Sequence, residues 1–481
     1  MICRPLRWVI FFVFDDKGRT IPSLCLEVPT KENHLISADG RRLTFKLRHG
    51  VKWHDGVPFT SADVAFTVKT ILDPKTNVLT RNGWDDIDRI EAPDDYTVVF
   101  VLKKPYAAFI NRFFTPVGNP AILPKHLLQH VDINHAQYNA LPVGLGPFRY
   151  VSWARGSEVV MEAFPQWWGG KPKLQRVIFK VIPDANTALT QLRTHEIDAY
   201  VRVPNNKIEE ARRIPGTHTI DYDTSSYGHV DFNMKNPVLA DRRVREALVR
   251  AIDMRLFWEK VDHRSGFLAC TPVPHMSWAY DGSAPCYALD LQKSAQLLDA
   301  AGWHTGPDGY RYKDGQQLRL TIVGNTGNPG LDERVVLMQG WFKQVGVALD
   351  YRRYPTNQLF AGYAAGGIVA TRKYDLTIYA WTLAPDPDLS NLVACSRISP
   401  NGQNYMGYCN SEVDQRSDDA LLHYEQPRRR ADYIAVQERL ARDIPFVVMS
   451  QRTDHVTFND DLTGLRPGPQ SVFWNPQELS L

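Results

Sequence analysis

The residues best placed to do chemistry lie in the run Tyr374-Asp-Leu-Thr-Ile-Tyr-Ala-Trp-Thr-Leu-Ala-Pro-Asp-Pro-Asp388. Leu376, Ile378 and Ala380 alternate, which predicts a strand that enters a Pro-Asp loop. Strand-to-loop ends are where α/β lobes present binding groups. Trp381 offers a flat apolar wall, and Asp386 or Asp388 can accept hydrogen bonds from a cation. The competing reading is that Trp381 fills a core and the aspartates shape the turn. Nothing comparable points to covalent chemistry. The chain has no Gly-x-Ser-x-Gly elbow, no His-Glu-x-x-His, no P-loop and no Cys/His nucleophile pattern. Its fourteen histidines are dispersed. His49 and His54 share one turn, where a structural hydrogen bond explains His54 better than a metal does. No cofactor, metal site or enzyme activity is expected, and recognition is the chemistry indicated.

The elements that must position such a wall alternate between strand and helix over 481 residues, too long for one core. A mixed α/β (α+β) chain of two or three domains follows. Leu43, Phe45 and Leu47 alternate with polar residues, Asp55-Gly56 turns the chain, and Thr60 with Asp63 forms a capping-box pattern before a helix. Residues 96–102 and 174–182 read as strands. Asp184 caps a helix that ends at Thr194-His195. Residues 217–234 hold two strand-like runs around Ser225-Ser226-Tyr227-Gly228. Asp241 caps a helix with Val244, Leu248 and Ile252 on one face. Leu318–Ile322, Val335–Gln344 and Val347–Tyr351 read as strand, helix and strand, a parallel pair with a crossover.

The totals exclude several partners. Lys and Arg number 56 against 53 Asp and Glu, a net charge of +3. Basic residues are scattered, and the runs Arg242-Arg243 and Arg428 to Arg430 sit in helical patterns, so nucleic acid is not a partner. Twelve Trp, twenty Tyr and twenty-one Phe suit a cleft for chemically varied ligands. No run of roughly eighteen apolar residues occurs. Trp8–Phe14 follows Arg4 and Arg7 like a short signal peptide. Asp15-Asp16 comes at once with no small-residue cleavage site, which favours a buried strand. Cys395 and Cys409 flank a polar segment, and Cys270 and Cys286 flank a Pro-rich loop. A disulfide across about 15 residues is worth roughly 3 kcal/mol in the chain-entropy model and belongs to an oxidising compartment. The alternative is buried thiols, and Cys3 and Cys25 read as unpaired.

The string Leu-Arg-x-Gly-Val-Lys-Trp-His-Asp-Gly-x-Pro-Phe-Thr-x-x-Asp-Val at residues 47–64 closely resembles the signature of family 5 extracellular solute-binding proteins. These are the peptide, oligopeptide and nickel receptors of ABC importers. Gly144-x-Gly-Pro-Phe148, Pro165-Gln-Trp-Trp-Gly-Gly-Lys-Pro172 and Val244-Arg-Glu-Ala-Leu-Val-Arg-Ala-Ile-Asp253 resemble it too, and the likeness covers nearly the whole chain from residue 15. It implies a bi-lobed periplasmic-binding-protein-like fold (class II, cluster C) with an additional inserted domain. Lobe I would comprise 1–23, 145–223 and 451–481, the inserted domain 24–144, and lobe II 224–450. Two crossings, near 224–228 and 447–452, would form a double hinge. The resemblance implies a periplasmic or extracellular monomer that closes on a solute and delivers it to the permease subunits. It places the Asp15–Gly18 turn well inside a family member, so the export signal and first strand are expected to be missing here.

Asn233 matches the family's Asn at the start of the second lobe, and relatives usually carry Gly where His195 stands. Asn404 and Tyr405 resemble its Asn-x-x-x-Tyr stretch near the cleft rim. Tyr227, His229 and Asn233 beside the first crossing are expected on the opposite side. Peptide receptors carry Asp three residues after the tryptophan, where this chain has Ala384. A peptide remains the first expectation. The alternatives are a metal chelate, haem, an oligosaccharide or glycoconjugate on the same fold, and a carbohydrate-active enzyme.

Overall fold

The computed structural model describes residues 10–78, 81, 83–115 and 121–481. The chain forms a mixed α/β fold of two compact units. One comprises residues up to Thr224, Ala384–Asp386 and Asp454–Leu481, and the other Ser225–Leu383 and Pro387–Thr453.

In the first unit, Arg42–Lys46, Thr97–Leu102 and Ile87–Asp94 make an antiparallel sheet with Thr97–Leu102 in the centre. Leu43 and Phe45 are buried as their alternation requires. The helix Ser61–Leu72 buries Val64, Val68 and Ile71. At its start the Asp63 carboxylate accepts the backbone N–H of Thr60 at 3.0 Å and that of Lys125 at 2.9 Å. Burial raises the Asp63 pKa, and these bonds oppose the rise. Phe12–Phe14 pairs with Thr20–Pro22, and Asp15 accepts the N–H groups of Lys17 and Arg19 in the turn between them. Trp8 and Val9, the start of that expected strand, lie outside the described residues. A second antiparallel sheet orders Phe148–Ala154, Glu158–Ala163 and Arg176–Lys180. Asp184 caps the helix Ala185–Arg193 through Thr187 N–H at 2.8 Å. His195 follows it at φ 58°, the left-handed position where a glycine is at ease.

In the second unit, Ala348–Tyr354, Arg319–Asn325 and Leu376–Thr382 run parallel in that order, with the helix Pro329–Gln344 as the crossover. Asp241 caps Arg242–Arg250 through Arg243 N–H at 2.9 Å. Val244, Leu248 and Ile252 join the core formed with Leu320, Ile322, Leu376 and Ile378.

One expectation is corrected. Residues 217–234 do not form two runs: Thr217–Phe232 is a single strand. Leu376–Thr382 pairs with it from Ser226 to Phe232, and Ser225 O accepts Leu383 N–H at 3.0 Å. The polar quartet therefore has its backbone bonded, and Gly228 fits extended opposite Ala380. This strand passes from the first unit to the second at Thr224–Ser225, and Phe446–Asn459 returns at Thr453–Asp454.

Candidate functional site

Antiparallel pairing sets Tyr227 opposite Trp381, His229 opposite Tyr379 and Asp231 opposite Thr377. Direct cross-strand partners share a face, and so do residues two apart on a strand. One row in the second unit thus begins with Trp381 and Tyr227 and ends with Asp231 and Thr377. On the opposite face, next to Trp381, Thr382 is exposed and bonded to Ser226 through their hydroxyls at 2.6 Å. Trp381 is partly exposed and packs against the cluster of Tyr227, Leu383, Met406 and Val448. Tyr227 is 1% exposed. Burial, reinforced by the Asp231 charge, pushes its hydroxyl well above the usual phenol range.

Further along, charge enters the row. His229 Nε2 lies 3.2 Å from Asp231 Oδ1, and the Tyr379 hydroxyl donates to Asp231 Oδ2 at 2.7 Å. Burial and the neighbouring carboxylate hold Tyr379 protonated far into alkaline pH. Sequence reading singled out His229 but missed Asp231, Tyr379 and Thr377. The available signal was the alternation of His229 and Asp231 with Val230 and Phe232, which puts two ionisable groups on one face of a buried strand.

Of the other anticipated residues, Asn233 and Asn404 have their amides committed to backbone. Asn233 donates from Nδ2 to the carbonyls of Arg372 and Tyr374 at 3.3 and 2.8 Å. Its Oδ1 accepts Lys235 N–H at 3.1 Å. Asn404, fully buried, donates to Ala394 O and Tyr408 O at 3.0 and 2.7 Å. It accepts from Gly407 N–H and Tyr408 N–H. Tyr405 is buried, and its carbonyl accepts the Tyr374 hydroxyl at 3.0 Å. Asp388 accepts Ser390 N–H at 2.8 Å, which shapes the Pro-Asp turn. Asp386 is buried and groups with the first unit, and Ala384 is half-buried. The segment around Asn404 is closed by a Cys395–Cys409 disulfide with Cα atoms 4.5 Å apart. Cys270–Cys286 forms a second at 5.4 Å. Cys25 is a buried thiol that burial keeps protonated. Cys3 lies outside the described residues.

In the first unit His54 is structural. Its Nδ1 accepts Gly144 N–H at 3.1 Å, so the other ring nitrogen carries the proton and donates to Gly146 O at 2.9 Å. Among the described residues no group of three His, Cys, Asp or Glu side chains gathers to hold a metal. No helix among them is long and apolar enough to cross a membrane.

A model of bacterial extracellular solute-binding proteins, family 5 Middle, matches residues 30–401. The chain is 29% identical over 437 residues to oligopeptide-binding protein AppA of Bacillus subtilis (strain 168), covering 89% of this chain and 79% of that protein. Among solved structures it resembles AppA from Bacillus subtilis in complex with a nonapeptide, with a TM-score of 0.90 at 27% identity over 99% of this chain and 93% of the other. It also resembles NikZ from Campylobacter jejuni in complex with Ni(L-His), with a TM-score of 0.88 at 26% identity over 100% and 95%.

Proposed function

The chain belongs to the family 5 bacterial extracellular solute-binding proteins, and from that membership we propose that it is the solute receptor of an ABC importer, with a peptide as its solute. The observation that carries the reading is the likeness, over 99% of the chain, to a receptor solved with a nonapeptide. The partly exposed Trp381 supplies an apolar wall at the end of its strand. Tyr227 and His229 back that wall, Asn404 holds a loop whose Met406 joins the same cluster, and Asn233 holds the turn at the far end of the strand pair. Asp386 and Tyr405 stand as further candidates for contact.

The mechanism needs no bond to form or break. Solute that gains contacts only when the receptor closes shifts the population toward the closed form. Bending would be absorbed by the crossings at Thr224–Ser225 and Thr453–Asp454. An extended peptide would pair its backbone with strand edges and leave its side chains loosely specified. The closed receptor would dock on permease subunits, at a periplasmic or extracellular face.

A second reading is a metal chelate. It is favoured by the likeness to NikZ with Ni(L-His) and by Ala384 where peptide receptors carry a carboxylate. Calorimetry of the purified chain against a peptide library and against nickel with histidine separates the two. Saturable binding of peptides supports the first reading, and saturable binding of the chelate alone replaces it with the second.

A further inference from the structure

The row that starts at Trp381 ends in buried polar atoms with no hydrogen-bond partner. Asp231 is 1% exposed and Thr377 0%, and the two face each other across the strand pair. Asp231 Oδ2 is engaged by Tyr379. Asp231 Oδ1, Thr377 Oγ1 and His229 Nδ1 have no bonded partner. The sole ionic neighbour of Asp231 is His229 Nε2 at 3.2 Å, and among the described residues no Lys or Arg is bonded to it. A buried carboxylate with so few donors is costly unless a positive group completes it.

The surroundings are those of a cation. The Thr377 hydroxyl, opposite Asp231 on the paired strand, can accept a hydrogen bond. Aromatic rings gather around these atoms. The Tyr379 centroid lies 4.2 Å from that of His229, and Tyr227 and Phe446 lie 5.1 and 5.9 Å from it. Phe360 lies 5.4 Å from Tyr379. An under-bonded carboxylate and a hydroxyl among aromatic rings suit a cation with several N–H donors. A guanidinium would want both carboxylate oxygens free for its fork, and Tyr379 already holds one. A metal would want further ligating side chains, and none gather here among the described residues.

We propose that this site in the second unit takes a primary ammonium of the solute, from a lysine side chain or a free amino terminus. The ammonium would lie against Asp231 Oδ1 and donate a second N–H to Thr377 Oγ1, its cross-strand neighbour. The proposal rests on the receptor reading and deepens it, because it gives an ammonium of the solute a buried carboxylate to pair with. Entry would be from Trp381, the partly exposed end of the row.

The first test needs no peptide. Methylammonium chloride should raise the thermal midpoint of the chain, and tetramethylammonium chloride at equal ionic strength should not. Asp231→Asn should abolish the rise. Thr377→Val, which keeps the side-chain shape and removes one unpartnered oxygen, should weaken it. The second test is calorimetry with Ala-Lys-Ala, its norleucine analogue and the N-acetylated form of each. Losing the ammonium that fills the site should cost about tenfold in affinity, and Asp231→Asn should erase the difference. Sensitivity to norleucine identifies the side chain as the source, and sensitivity to acetylation identifies the amino terminus. If both salts act alike and Asp231→Asn binds every peptide as the wild type does, a proton or water completes Asp231. The proposal then falls while the receptor reading stands. An Asp231-dependent methylammonium response with no binding of any peptide would keep the site and sink the peptide reading.

Discussion

His54 and Gly146, ninety-two residues apart, are joined by a hydrogen bond of 2.9 Å from the imidazole Nε2–H to the carbonyl oxygen. With Nδ1 accepting from Gly144, the ring must be neutral to hold the 144–146 loop. Burial is the largest influence on it and lowers its pKa to about 4, against the opposing pull of the Gly146 carbonyl. An unfolded imidazole titrates near 6.5. Above that pH neither state carries the proton and the contribution of His54 is complete. As pH falls toward about 4, the unfolded chain gains a proton that the folded chain refuses, and up to about 3 kcal/mol of stability is lost. Urea unfolding of the wild type and His54→Gln between neutral and acidic pH checks this. The wild type should lose more stability than the variant across that window.

Trp381 and Tyr227 are cross-strand partners that differ in exposure. Trp381→Ala should weaken solute binding about tenfold through loss of a partly exposed aromatic wall, with a small change in melting temperature. Tyr227→Ala removes a ring that is 1% exposed and should cost about 3–5 kcal/mol of stability. Calorimetry and thermal unfolding on both variants separate wall from core.

What was legible in the sequence is what local physics specifies. The alternation of Leu43 and Phe45, the helix starts at Thr60, Asp184 and Asp241, and the strand–helix–strand of the second unit each depend on residues within a turn or two. The Asp231–Thr377 neighbourhood depends on a register between segments 146 positions apart, and no local pattern encodes a register. Asn404 shows the same boundary: its type and neighbours marked it as special, but its four backbone partners follow from the fold of the loop. The broken reading of 217–234 arose because Ser and Gly weaken a strand locally, while the partner strand that restores it lies far along the chain.

The Cys395–Cys409 bond closes a separation of 14 residues, and the paired variant Cys395→Ser with Cys409→Ser should lose about 3 kcal/mol in the chain-entropy model. Thermal unfolding of the variant, and of the wild type with a reductant, should show the same direction of change. A residual reductant effect in the variant reports Cys270–Cys286.

Asn404 gives a sharper test of the same loop, because its amide is matched on both sides. Nδ2 serves two carbonyls and Oδ1 serves two N–H groups. Asn404→Ala strands four backbone groups, two of them in buried bonds, and should cost about 3 kcal/mol. Asn404→Asp keeps the acceptor but sets a buried carboxylate against the carbonyls of Ala394 and Tyr408, so its charged form is the unfavourable one. Its folded pKa is therefore raised, and relative to wild type at the same pH its stability should recover as the pH falls and the carboxyl gains a proton. Thermal midpoints of wild type and both variants, compared at neutral and mildly acidic pH, read this directly. A deficit in Asn404→Asp that did not shrink on acidification would mean that the side chain is not donating to those two carbonyls.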